Sequence, residues 1–339
     1  MQPSVTPVDV RRVNQGGCAN AKRAHAFGFA ASALTLALSY APAAAAADPT
    51  PSAPPTASAP DPTPPTPPTP PTPPSPPASG HDAWPFRTFQ PVDYVVTGVT
   101  GALAVDVYFE IQPQPQARWV GGILFDDAAR SAFRLHDPGT LDSVRSAADI
   151  LASGSVVLAV GFDAIALPLL RRRTKSAIQL GLISAETFAL SSLVTTTGYD
   201  SVGRARPSYT DCQKNPSFDK QCNSSPTASF WSGHTAQAFT SAGLSCAEHA
   251  YVHIYGDPVA DALGCAGMVT LGASVAVLRV MGDRHYATDV ITGSLVGFTL
   301  GYGIPSFLYY TRRQEPKDAT SVAVSPVNGG YMIHVGKRF

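Results

Sequence analysis

Apolar residues in this chain gather in long blocks rather than alternating, and blocks of that length predict helices. From residue 81 onward six such segments stand out, at about 94–109, 154–170, 177–195, 235–252, 263–280 and 289–310. Each comes close to the ~20 residues with which an α-helix crosses the hydrocarbon core of a bilayer. Between the first two, the stretch 125–150 is amphipathic, with Asp126, Asp127, Arg130 and Arg134 set among apolar positions. Asp163, Glu186 and Glu248 fall inside three of the apolar segments; in lipid they have to face the interior of a bundle. The expected fold class is therefore all-α: a bundle of about six helices, five or six of them membrane-associated.

The first quarter of the chain has another pattern. In residues 1–47, Arg11, Arg12, Lys22 and Arg23 precede an apolar stretch at 26–40 and an alanine run, the layout of a signal peptide or an N-terminal anchor. Residues 48–80 repeat Pro-Pro-Thr, a composition with few amide donors and little to bury, and read as a disordered, extended linker. The helical domain is then 81–317. A tail at 318–339 carries one strand-like stretch at 331–335, and one short strand cannot build a barrel.

Loop charges give an orientation. Alternating helices put the candidate chemistry described below at one end of the bundle and leave Arg171-Arg172-Arg173-Thr174-Lys175 and Arg312-Arg313 at the other. By the positive-inside rule the basic end is cytoplasmic and the chemistry faces outward. The expected location is an inner membrane of bacterial type, with the site toward the periplasm. A cleaved signal then starts the bundle outside while the tail ends inside, which requires an odd number of spans. Demoting segment 94–109, which contains Asp106, to a helix against the bundle or at the interface satisfies that parity.

Composition narrows the chemistry. Charged residues make up 14% and hydrophobic ones 44%, and the formal net charge is zero, so no basic footprint points to nucleic acid. The chain contains no CxxC, HExxH or Walker loop, which leaves zinc and nucleotide readings without support. Of the five cysteines, Cys212 and Cys222 flank a polar loop and are expected to form a disulfide outside the cytoplasm. Cys246 and Cys265 lie in apolar segments and read as packing residues.

The candidate chemistry sits in three short blocks. Arg279, His285 and Asp289 follow the spacing Arg-x5-His-x3-Asp; on a continuous helix His285 and Asp289 share a face, and the carboxylate could orient the imidazole. Ser232-Gly233-His234 precedes a run of small residues, where Ser232 can cap a helix and Gly233 lets an anion reach its first amides. Arg204-Ala205-Arg206-Pro207 supplies arginines suited to phosphate oxygens.

Together these blocks resemble the type 2 phosphatidic acid phosphatase (PAP2) and vanadium haloperoxidase superfamily, over roughly residues 90 to 311. The family pattern is Lys-x6-Arg-Pro, then Pro-Ser-Gly-His, then Ser-Arg-x5-His-x3-Asp. Order and internal spacing agree. The chain departs from the pattern at Tyr199 for the lysine, Trp231 for the proline and Leu278 for the serine.

The resemblance implies a phosphatase in which His285 attacks phosphorus, Asp289 fixes its tautomer and His234 moves the proton of the leaving group. Arg206, Arg279, Ser232 and Gly233 then hold the phosphoryl oxygens, and no metal or other cofactor is required. Arg204 is expected to supply the charge missing at Tyr199, because residues two apart on an extended segment share a face. The expected substrate is a lipid phosphate or diphosphate reached from the membrane, with no nucleic-acid partner. An exported soluble acid phosphatase and a vanadate-dependent haloperoxidase stay open as alternatives.

Overall fold

The computed structural model describes residues 83–110, 116–313, 320–327 and 330–337. The expected signal or anchor (1–47) and linker (48–80) lie outside the described residues, as do the side chains of Tyr199, Asp200 and the C-terminal strands. Eight helices follow one another: α1 Pro91–Glu110, α2 Asp126–Phe133, α3 Pro138–Leu170, α4 Thr174–Val202, α5 Tyr209–Lys214, α6 Gly233–Val252, α7 Pro258–Met281 and α8 Ala287–Tyr310. Starts are written locally in the sequence. Asp137 accepts from the Thr140 amide at 2.8 Å with Pro138 in the first turn, and Asp257 caps Ala260 at 2.8 Å ahead of Pro258. The all-α expectation holds for the bundle. The tail, expected to carry one strand, pairs two: β1 Thr320–Val327 runs antiparallel to β2 Gly330–Lys337.

Helix α6 is the axis. It touches α3, α4, α7 and α8, and is buried almost continuously from Thr235 to His249. That position explains its composition, because a helix surrounded by helices can carry Thr240, Ser241, Ser245 and Glu248 where lipid would not tolerate them. Its closest neighbour is α8. Gly293, Gly297 and Gly301 form a small-residue stripe on α8, laid over the α6 backbone at Ser232, Ala236 and Thr240. A Cβ at Gly297 would lie 2.1 Å from the Ala236 carbonyl oxygen, and one at Gly301 would lie 2.2 Å from that of Thr240. These contacts fix how closely the N-termini of α6 and α8 approach.

Among the described residues five helices are long and apolar enough to cross a membrane: α1, α3, α4 (over Thr174–Gly198), α7 and α8. They expose large apolar side chains on their outer faces, among them Val95, Val99 and Val105 on α1, Ile150 and Leu170 on α3, Leu263 on α7, and Leu295 and Phe307 on α8. Inside, Asp163, Glu186 and Glu248 are buried as expected; Asp163 accepts from Ser245 at 3.0 Å and Tyr255 at 3.1 Å, and Glu186 from Tyr309.

Two expectations need correction. Segment 94–109 is not the one that drops out of the apolar set. It forms α1, packed on α4, whereas the more polar 235–252 segment forms the shielded centre. The ends of the bundle also lie together: Phe86 bridges Arg313, and the Arg87 amide donates to the Arg312 carbonyl at 2.8 Å. The chain thus joins the bundle at the basic end where it leaves, so the odd span count does not describe this fold.

Cysteine pairing is half as expected. Cys212 and Cys222 are bridged, but so are Cys246 and Cys265, whose Cα atoms are 4.5 Å apart across the α6–α7 contact. Local pattern sets no register between those two helices, so this pairing emerges only from their packing. Non-reducing peptide mapping should recover both bridges; a free thiol at any of the four positions contradicts this pairing.

A second test addresses the glycine stripe. Gly297→Ala should destabilise the purified protein by about 1–3 kcal/mol or more, the range for overpacking a close contact. Gly267→Ala on α7, where a Cβ meets nothing within 4 Å, should be neutral or mildly stabilising. Equal thermal midpoints for the two variants would contradict the close α6–α8 contact.

Candidate active site

All three motif blocks arrive at one end of the bundle, in the loop after α4, at the start of α6 and in the turn between α7 and α8. The segment 118–121 organises them from outside. Trp119 pairs with Arg204 in a parallel bridge, the Ala205 amide donates to the Trp119 carbonyl at 2.8 Å, and the Arg118 amide donates to Gly203 at 3.0 Å.

Arg204 is fully buried between the rings of Trp119 and Tyr286, its guanidinium carbon 4.0 Å and 4.2 Å from their centroids. Its two arms are taken by carboxylates. Nη2 donates to Asp126 Oδ2 at 2.7 Å and Nη1 donates to Asp289 Oδ1. Asp126, itself fully buried, also accepts from the Thr288 amide at 2.8 Å and from the Thr288 hydroxyl at 2.7 Å, so it caps the first turn of α8. Burial alone would raise the Asp126 carboxyl, but the amides of Ile123 and Thr288, with Arg204, outweigh it and hold it below the usual carboxylate range.

The expectation that Arg204 meets phosphate is therefore corrected. The extended backbone does place Arg204 and Arg206 on alternate positions, yet Arg204 is consumed by two anions of the protein. Sequence reasoning missed Asp126 as its partner, because the contact spans 78 residues and α2 reads as an ordinary amphipathic helix.

His285 precedes α8 rather than belonging to it. Tyr286 is the N-cap, with extended backbone (φ −72°, ψ 162°), so the helical four-residue spacing does not bring His285 and Asp289 face to face. Instead Nδ1 of His285 faces the Ser229 carbonyl at 2.7 Å; since a carbonyl only accepts, Nδ1 carries the proton. Asp289 accepts from the Ser229 hydroxyl at 2.6 Å and from the Tyr286 amide at 2.9 Å. It thus fixes the residue that orients the imidazole, not the imidazole itself. Ser229, outside every motif block, is the link.

Burial, and after it the charges of Arg206 and Arg279, push the His285 imidazole well below its ordinary pKa, so it is neutral at neutral pH. Arg206 and Arg279 are thus near enough for their charges to bear on the ring. Arg206 is buried and braced by the carbonyls of Ser225 at 2.8 Å and Arg284 at 3.1 Å. Arg279, also buried, donates from Nη2 to Asp149 Oδ1 at 2.7 Å. His234 comes to the same carboxylate, with Nε2 3.3 Å from Asp149 Oδ1.

Ser232 holds the N-cap position of α6 with extended backbone but its side chain makes no capping bond to the backbone; its hydroxyl meets that of Thr235 at 2.9 Å, while its amide donates to the Asp289 carbonyl at 3.2 Å. A Cβ on Gly233 would meet nothing closer than 3.9 Å, so packing does not demand a glycine there; its absence leaves the first amides of α6 uncovered. Trp231, standing where the family pattern has proline, lies against Gly198 one residue before Tyr199; a Cβ on Gly198 would come within 2.4 Å of the indole. Among the described residues no group of acidic, histidine or cysteine side chains could hold a metal ion.

Outer ionic contacts lock these loops. Asp283, after α7, is held by Arg130 at 2.7 Å and Arg134 at 3.0 Å. Arg145 donates to Gly282 O at 2.8 Å and grips Asp219 of the disulfide loop.

Arg204→Ala leaves Asp126 and Asp289 buried without their cation and should cost about 3–5 kcal/mol of stability. Thermal unfolding of the purified variant measures this. A variant that is fully stable but has lost phosphate affinity would instead make Arg204 a ligand contact.

Residues 180–313 match the family model of the PAP2 superfamily, a stretch that runs from α4 to the end of α8 and contains all three motif blocks. No curated protein and no solved structure matches the chain. The family match and the motif blocks agree: over residues 180–313 this chain is similar to the PAP2 superfamily.

Proposed function

We propose that the protein is a membrane phosphatase that hydrolyses a lipid phosphate or diphosphate through a phosphohistidine. The observation that carries this is His285, protonated on Nδ1 by its contact with Ser229 O and held neutral by burial and by the charges of Arg206 and Arg279. Its Nε2 lone pair attacks phosphorus, and the bond from phosphorus to the leaving oxygen breaks. His234 gives its proton to that oxygen, then takes one from water as water attacks the phosphohistidine, releasing inorganic phosphate and restoring the imidazole. Arg206, Arg279, the Ser232 hydroxyl and the Gly233 amide stabilise charge on the equatorial oxygens; donors of this kind are worth roughly 3–4 kcal/mol each in comparable oxyanion sites. The residues present supply this field without a metal or other cofactor.

Lipid as the substrate class is supported by the apolar outer faces of α1, α3, α4, α7 and α8. The Cys212–Cys222 bridge at the site's end and the basic residues at the opposite end support a site facing outward. A second reading, an exported phosphatase folded as a soluble globule, is favoured by one observation. The bundle starts and ends on one side, at Phe86 and Arg313, which suits a signal-led chain that does not cross the membrane.

Two experiments separate these readings. Alkaline carbonate washing should leave the protein in the membrane pellet; recovery in the supernatant selects the soluble reading. Purified enzyme should release phosphate from at least one of phosphatidate, phosphatidylglycerol phosphate and polyprenyl diphosphate. His285→Ala should lose turnover entirely, and near-normal activity in that variant would refute the mechanism. His234→Ala should lose about 10²–10⁴-fold on alkyl esters, whose leaving oxygen needs a proton.

A further inference from the structure

Asp149 belongs to no motif, yet it holds the centre of the site. It projects from α3 with its side chain half exposed, so packing does not account for its position. One oxygen, Oδ1, accepts from Arg279 Nη2 at 2.7 Å and lies 3.3 Å from His234 Nε2. The neighbouring acid on the same helix, Asp142, turns instead to Lys220 at 2.8 Å in solvent. Asp149 therefore occupies the kind of place a phosphoryl oxygen takes, between the Arg279 guanidinium and the His234 imidazole.

We propose that Asp149 is a positioning and selectivity residue, which aims His234 at the leaving oxygen and weakens the hold of Arg279 on free phosphate. This rests on the phosphatase reading above. A carboxylate and a phosphoryl oxygen compete for one arginine arm, and two anions repel, so Asp149 disfavours the product anion in the resting site. The same carboxylate lies 3.3 Å from His234 Nε2 and attracts the ring until the ester displaces it. Asp149 touches neither phosphorus nor the leaving group, so it acts through Arg279 and His234.

The test is Asp149→Asn, which keeps the shape and removes the charge, with Asp149→Ala as a second variant. Three measurements are made on each: the inhibition constant of inorganic phosphate, and the first-turnover rate of alcohol release, which precedes the water step, from an alkyl phosphate and from p-nitrophenyl phosphate, whose leaving group departs without a proton. Phosphate should inhibit the variants about tenfold more tightly, one charged contact no longer being shared. First-turnover release from the alkyl ester should fall at least tenfold, while that from the aryl ester stays within about threefold. A merely structural role would weaken phosphate binding and slow both esters together, and that result overturns the proposal; so does an unchanged phosphate constant. His234→Ala is measured beside them. If it slows both esters equally, the acid role of His234 fails, and the phosphate constant of the Asp149 variants still decides whether Asp149 opposes anion binding.

Discussion

A single buried cation holds this site together. Arg204 has no exposed surface, and its guanidinium lies between Asp126 and Asp289, both equally buried, with aromatic rings on its two faces. Removing such a charge from water is costly, and the two carboxylates and two ring faces offset that cost, although Nε is left without a hydrogen-bond partner. Through Asp126 it fixes the N-terminus of α8, and through Asp289 and Ser229 it fixes the tautomer of His285. The proposed nucleophile is thus oriented from a distance, by a chain of contacts that starts at a fully buried arginine.

The second constraint is backbone contact between α6 and α8. Glycines on α8 let its backbone lie on that of α6, which brings the amides of Gly233 and the turn at His285 to one level. The remaining helices enclose this pair. Because α6 is enclosed, it can afford hydroxyls and a glutamate; because its neighbours are outermost, they carry the apolar faces. One arrangement accounts for both the central polar helix and the apolar exterior.

How much was legible in the sequence follows from the range of each interaction. Helix positions, the end of the bundle that holds the motifs and the Cys212–Cys222 bridge all depend on local pattern, and they emerged from it. Contacts that cross the bundle did not. Arg204 with Asp126, Arg279 with Asp149, and Cys246 with Cys265 join residues whose register only packing sets. The misreading of Asp289 has a local cause: His285 falls just outside α8, and one residue of extended backbone at Tyr286 breaks the four-residue rule. Span parity was not legible for a related reason: in a bundle surrounded by lipid the central helix can carry polar groups, so apolar segments do not count crossings.

The central claim is that His285 becomes covalently phosphorylated on Nε2. It is tested most directly by quenching the enzyme during turnover of a substrate labelled with radioactive phosphorus, and mapping the label by peptide digestion. The His234→Ala variant, which activates water poorly, should accumulate the intermediate when given an aryl ester. The account predicts an acid-labile, base-stable label on the peptide that contains His285, absent from His285→Ala. Label on another residue, or turnover with no trapped label in either protein, would contradict it.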